Sequence, residues 1–128
     1  MASPEVCALF EGWLSYLSSE KRFSGHTASN YGRDVLAFLA FAHGHAGEPV
    51  SRKTLAGFSL NNFRSFLAAR KMEGLGARSL ARNLSAVRNF YKYLDKRENL
   101  KNAAISEISK SGQHSELEYT KLNQLSVA

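Results

Sequence analysis

The sequence predicts an all-α fold, a compact bundle of four main helices. Three observations carry that expectation. Apolar residues recur at three- and four-residue steps in four separate stretches, no stretch alternates convincingly between apolar and polar, and helix-start and helix-stop residues bracket the periodic runs. With 128 residues, 44% hydrophobic and 22% charged, the chain is of single-domain size and of ordinary globular composition.

The first helix opens at Ser3-Pro4-Glu5, which supplies a hydroxyl cap, a proline tolerated in the first turn and an acid favoured by the helix dipole. Val6, Leu9, Phe10, Trp13, Leu14 and Leu17 follow at helical spacing, and the helix is expected to run to about Glu20. Lys21 to Gly25 reads as a connection. Ser24 or Gly25 then opens a second helix, whose apolar stripe is Ala28, Tyr31, Val35, Phe38, Leu39 and Ala42 and whose expected end is Gly44. Positions 44–53, with two glycines and a proline, read as a surface loop, after which Thr54 is expected to cap a single turn. Ser59 caps a third helix carrying Leu60, Phe63, Phe66 and Leu67, which Gly74 and Gly76 break.

The fourth helix is the longest and clearest. From Ala77 to about Lys96, Leu80, Leu84, Val87, Tyr91 and Leu94 recur at helical steps with Phe90 beside them, a seam expected to be buried. The connection Gly74-Leu75-Gly76 is short enough to make the third and fourth helices close neighbours. Beyond Asn102 the pattern weakens. Residues 1–106 therefore read as the domain and 107–128 as a tail, either a docking helix or disordered, with Leu117, Leu122 and Leu125 the sizeable aliphatics of its polar stretch 109–128 before the last residues.

Charge narrows the function. Residues 1–51 hold three Lys or Arg against five Asp or Glu, residues 52–101 hold twelve against three, and residues 102–128 hold two against three. So the net +6 is concentrated in the middle block. Such concentration favours a polyanionic partner, because each phosphate neutralised releases condensed counterions, although the same charge would also serve solubility alone. The single Cys7 excludes an internal disulfide framework and reads as a small buried or half-buried apolar residue in a reducing compartment. The N-terminus carries acids where a secretory signal has bases, and no apolar run approaches the ~20 residues that span a bilayer, so a cytoplasmic location without membrane attachment is expected.

On a 100° wheel, Arg78, Arg82, Ser85, Asn89, Lys92 and Lys96 fall within about 40° of one line opposite the apolar seam, with Arg88 flanking and Asn83 one step round from Arg82; Ser79 is a further candidate contact on this helix. Long cations interleaved with Asn and Ser suit a groove-binding helix: the charges meet phosphates, and Arg and Asn forks can match base edges. No Glu-to-Lys pair at four-residue spacing offsets the stripe, whose charge therefore reads as uncompensated. The second helix offers another polar face, in which Ser24, His26, Thr27, Ser29, Asn30 and Arg33 lie near a helix N-terminus able to receive a phosphate. A plain solvated helix face is the alternative for both.

Catalytic and cofactor chemistry finds no support. His26, His43, His45 and His114 are scattered, and no phosphate-cradling glycine loop or local nucleophile motif occurs. No metal, cofactor or small-molecule substrate is expected.

Two segments carry a family resemblance: FEGWLSYLSSEKRFSGHTASNYGRDVLAFLAFA at 10–42, with Ser24, Thr27 and Tyr31 in a Ser-x-x-Thr-x-x-x-Tyr pattern, and FRSFLAARKMEGLGARSLARNLSAVRNFYKYL at 63–94. In order and spacing they resemble the N-terminal core-binding domain of Xer-type tyrosine recombinases within the wider phage-integrase family, and Asn102-Ala103-Ala104-Ile105 resembles the start of that family's linker. The resemblance implies a SAM-like bundle forming half of a clamp on double-stranded DNA, with its second and fourth helices presented to the major groove. It also implies a role in site-specific recombination, as in DNA integration or chromosome dimer resolution, and recombinase protomers as partners. The family cleaves DNA with a tyrosine assisted by Arg, Lys and His residues of a separate C-terminal domain. Residues 103–128 contain no Arg and depart from the family's linker, so Tyr119 does not read as that nucleophile and this chain is expected to bind rather than cut. A helical protein-interaction module serving self-association is the competing expectation.

Overall fold

A computed structural model of the chain describes residues 1–112. Six helices follow one another: α1 (Pro4–Ser19), α2 (Gly25–Ala46), the short α3 (Arg52–Gly57), α4 (Leu60–Met72), α5 (Ala77–Glu98) and α6 (Ala103–Gly112). The four helices read from sequence are α1, α2, α4 and α5. Among the described residues there is no strand, only an isolated parallel bridge in which Ser3 N–H donates to the Val50 carbonyl and Val50 N–H to that of Met1, each at 2.9 Å.

Local chemistry sets the helix starts. The hydroxyls of Ser3, Ser24, Ser51 and Ser59 accept from the backbone N–H three residues on, which satisfies donors that a first turn leaves free. Ser51 and Thr54 do so reciprocally, so the cap of α3 is Ser51 and not Thr54 as expected. The second correction concerns the end of α2. Gly44 costs about 1 kcal/mol within a helix but does not end it; the next turn is held by His45 stacked on Phe41 and by His43 Nδ1, 3.0 Å from the Glu48 carbonyl. Termination falls instead on Gly47, at φ 74°, where a Cβ would be strained. The expected loop thus shrinks to a few residues, one of which, Val50, is fully buried.

The seam read along the fourth helix is the centre of the core. Leu80, Leu84, Val87, Phe90, Tyr91 and Leu94 are all buried, and α5 packs most extensively on α2 while α1, α4 and α6 close around it. Phe38 of α2 stacks on Phe63 of α4 at 5.8 Å and meets Phe58, Phe66 and Tyr91 edge-on, arrangements that suit the aromatic quadrupole. Gly32 lets α1 and α2 approach: a Cβ there would lie 3.1 Å from Leu14. The expected boundary at 106 falls inside α6, whose Ile108 packs into the same core. The rest of the tail, including His114, Leu117, Tyr119, Leu122 and Leu125, lies outside the described residues. Cys7 is exposed rather than half-buried, because it stands on the outward side of α1 between the buried positions Val6 and Leu9.

Candidate nucleic-acid interface

The two polar faces meet at an ion pair. Arg82 of α5 grips Asp34 of α2 with two prongs: Nε donates to Oδ2 at 2.9 Å and Nη2 to Oδ1 at 3.2 Å. Asp34 is only 2% exposed, and α5 supplies it a second donor, Asn83 Nδ2, at 2.8 Å. Asn83 Oδ1 in turn accepts from Arg70 Nε of α4 at 3.2 Å, and Arg70 Nη1 reaches Glu73 at 2.6 Å. One carboxylate therefore ties α2, α5 and, through Asn83, α4. The hydrogen bond to Asp34 is the first cause that raises the Arg82 guanidinium above its ordinary pKa, opposed by partial burial.

This network corrects two sequence expectations. Asn83 is fully buried and cannot touch a ligand; it lies on the core side of α5, three residues from buried Leu80 and four from buried Val87. Arg82, although its side chain is 43% exposed, is not an uncompensated charge, since its partner stands on another helix where spacing along α5 could not reveal it.

What remains outside is coherent. Thr27 and Asn30 lie seven and four residues before Asp34 and so run along the same edge of α2 toward the joint. On α5, Arg78 precedes the joint by one turn, and Ser85, Asn89, Lys92 and Lys96 follow at three- and four-residue steps. Arg78, Lys92 and Lys96 are exposed; Ser79, Ser85, Arg88 and Asn89 are half-buried. On α2, Ser24, His26, Thr27 and Arg33 are exposed and Asn30 is half-buried, with its amide 3.2 Å from His26 Nε2. Ser24 does double duty, capping Thr27 N–H at 3.1 Å and donating to the Thr27 hydroxyl at 2.9 Å, which stiffens the first turn.

Beside α5 runs an open groove of about 1100 Å³ between this helix and the start of α6, lined by Ser85, Arg88, Asn89 and Lys92 of α5 and by Lys101 and Ser106. Asn102 fixes that edge. Its amide donates to the carbonyls of Leu55, Ala56 and Phe58 at 2.9–3.1 Å, while its Oδ1 accepts from Ala104 and Ile105 N–H, capping α6. Neither Lys101 nor Asn102 reads from the sequence as a site residue, and a lone Asn after a helix carries no signal of that knot. Among the described residues no three His, Cys, Asp or Glu side chains gather as a metal site, and no helix is long and apolar enough to cross a membrane.

Comparison with known proteins places the chain by its sequence. Residues 10–98 match the family described as phage integrase, N-terminal SAM-like domain. The chain is similar to the tyrosine recombinase XerC of Brucella suis biovar 1 (strain 1330), 43% identical over 103 residues, which cover 80% of this chain and 32% of that protein. It is 37% identical over 103 residues to XerC of Rhodospirillum centenum, with 80% and 30% covered, and 35% identical over 108 residues to XerC of Rickettsia bellii, with 84% and 35% covered. The chain thus spans about a third of the length of the curated relatives it matches. No solved structure matches.

Proposed function

The chain belongs to the phage integrase N-terminal, SAM-like domain family, and from that membership we propose that it binds double-stranded DNA as the clamp part of a site-specific tyrosine recombinase. The observation that carries the reading is the joint between α2 and α5. By pinning Arg82 to Asp34 it holds α2, with Thr27 and Asn30 on the Asp34 edge, against α5, whose exposed cations are Arg78, Lys92 and Lys96.

Roles follow from chemistry. Arg78, Lys92, Lys96, Arg88 and Arg33 supply charge for phosphates, while Asn30, Thr27, His26, Ser24, Ser79 and Ser85 supply short donors for sugar–phosphate or base edges. Strand cleavage and the assembly of protomers belong, on this reading, to the parts of recombinases that the chain does not span. Whether the biological setting is integration or chromosome dimer resolution follows from the DNA site, so both stay within the proposal. Localisation with the DNA, in the cytoplasm, is part of the same reading.

A fluorescence-anisotropy titration with a labelled recombination-site duplex tests it. Binding is expected at low salt, weakening as salt rises with a log–log slope of about −4.5, close to −0.9 for each of some five cations. No binding at low salt, or binding indifferent to salt, defeats the proposal. Self-association through an apolar surface, the competing reading, finds little support: apart from Met1, the exposed large apolar side chains among the described residues are Leu36 and Met72.

A further inference from the structure

We propose that Asn89 is a donor-only contact for a DNA phosphodiester, locked in that role by Trp13, so that Trp13 reports occupation of the groove beside α5. The proposal rests on the duplex-binding reading and adds to it an assigned atom and ligand chemistry.

Asn89 looks like a reader of adenine, since an Asn side chain can give and take one hydrogen bond each with that base. Its surroundings remove that option. Asn89 Oδ1 accepts from the indole Nε1–H of Trp13 at 3.0 Å. An indole N–H only donates, so the carboxamide has a single orientation, oxygen inward and NH2 outward. The anchor is firm: Trp13 is fully buried and meets Phe90 edge-on at 5.2 Å. Among the described residues the NH2 has no hydrogen-bond partner, and no buried side-chain nitrogen or oxygen is left unpaired, so the NH2 keeps access to solvent where Asn89 lines the groove.

The groove supplies the rest. Arg88, Lys92 and Lys101 line the same groove as Asn89, and the acid among the lining residues, Asp95, is paired with Lys101 at 3.3 Å. A phosphate oxygen only accepts and carries negative charge, which matches a fixed donor in a groove lined by cations. An adenine edge needs an acceptor that Asn89 no longer offers.

Trp13 is the single tryptophan, so emission excited at 295 nm comes from the ring that holds Asn89. With the full chain and an unlabelled duplex, that emission is expected to change with the same midpoint as anisotropy of the labelled duplex. Asn89→Asp keeps an acceptor for the indole while replacing the outward donors, and is expected to weaken binding about tenfold or more. Because it also adds charge, the deciding variant is N89D/D95N, which restores the groove's formal charge and is expected to remain about fivefold weaker at an unchanged melting temperature. Trp13→Phe removes the indole donor without altering charge and frees the amide to turn, for an expected loss of about threefold. Wild-type binding by N89D/D95N or by W13F overturns the proposal, as does flat Trp13 emission through a titration that anisotropy shows to saturate. In each of those cases the unaltered chain still binds and the duplex reading stands. Absence of binding by the unaltered chain removes that reading and this assignment together.

Discussion

Tyr91 shows how a side chain can look ordinary in sequence and control a measurable pH response. It was legible as a member of the α5 seam, and it is indeed 2% exposed. Its hydroxyl donates to the Leu55 carbonyl at 2.8 Å, and burial pushes its pKa well above the usual tyrosine value. The folded chain keeps this proton where the unfolded chain releases it, so the stability it contributes is complete below about pH 10 and is lost as pH rises beyond that value. Tyr91→Phe is expected to cost about 1 kcal/mol at pH 7, where a hydrogen bond is removed. By pH 11 the gap to the unaltered chain should close, since the unaltered chain then bears a penalty of about 1.4 kcal/mol per pH unit that phenylalanine lacks. Urea midpoints at the two pH values check this, and a gap that stays constant contradicts it. Asp34 is a second case. As an acid in a helix it gave no sign in the sequence of holding both Arg82 and Asn83, because its partners are 48 and 49 positions away. Asp34→Ala is expected to destabilise by about 2–3 kcal/mol in urea unfolding, as it strands buried Asn83 as well as one face of Arg82.

Helices were more legible than their ends. The 3.6-residue period found α1, α2, α4 and α5 because each must bury one stripe against the others, and that requirement is written in every third or fourth residue. Ends depend on single turns, where a glycine penalty of about 1 kcal/mol competes with packing that the sequence does not display. At Gly44 packing by Phe41 and His45 prevails; at Gly47 the left-handed backbone decides. Gly47→Ala is accordingly expected to cost about 1 kcal/mol, read as a lower urea midpoint, whereas Gly44→Ala, in open space within the helix, is expected to raise it. The start of α6 was illegible for a different reason. It depends on Asn102 gathering three carbonyls at the end of α3, and no periodicity encodes such a knot. Asn102→Ala is expected to speed amide hydrogen exchange in α6 and the last turn of α3 while leaving the α2–α5 pair protected. Uniform loss of protection throughout would show instead that α6 is integral to the whole bundle's stability.

For the molecule as a whole, the sequence revealed the sign and place of the charge but not its availability. Twelve Lys or Arg between 52 and 101 suggested a polyanion surface, yet Arg70, Arg82 and Arg97 are engaged with Glu73, Asp34 and Glu20, and Arg52 with Glu5. The charge left to a ligand is therefore smaller, and on α5 it comprises Arg78, Arg88, Lys92 and Lys96. A substitution at Arg82 confounds binding with folding; Arg78 and Lys92, both exposed and in none of the ion pairs found among the described residues, separate the two. The most direct measurement is thus the salt dependence of duplex affinity for the unaltered chain beside R78A/K92A. If the α2–α5 face binds the backbone of DNA, the double variant should melt within a few degrees of the unaltered chain, bind more weakly, and lose about two units of log–log salt slope, close to 0.9 for each cation removed. An unchanged slope and affinity would contradict the account.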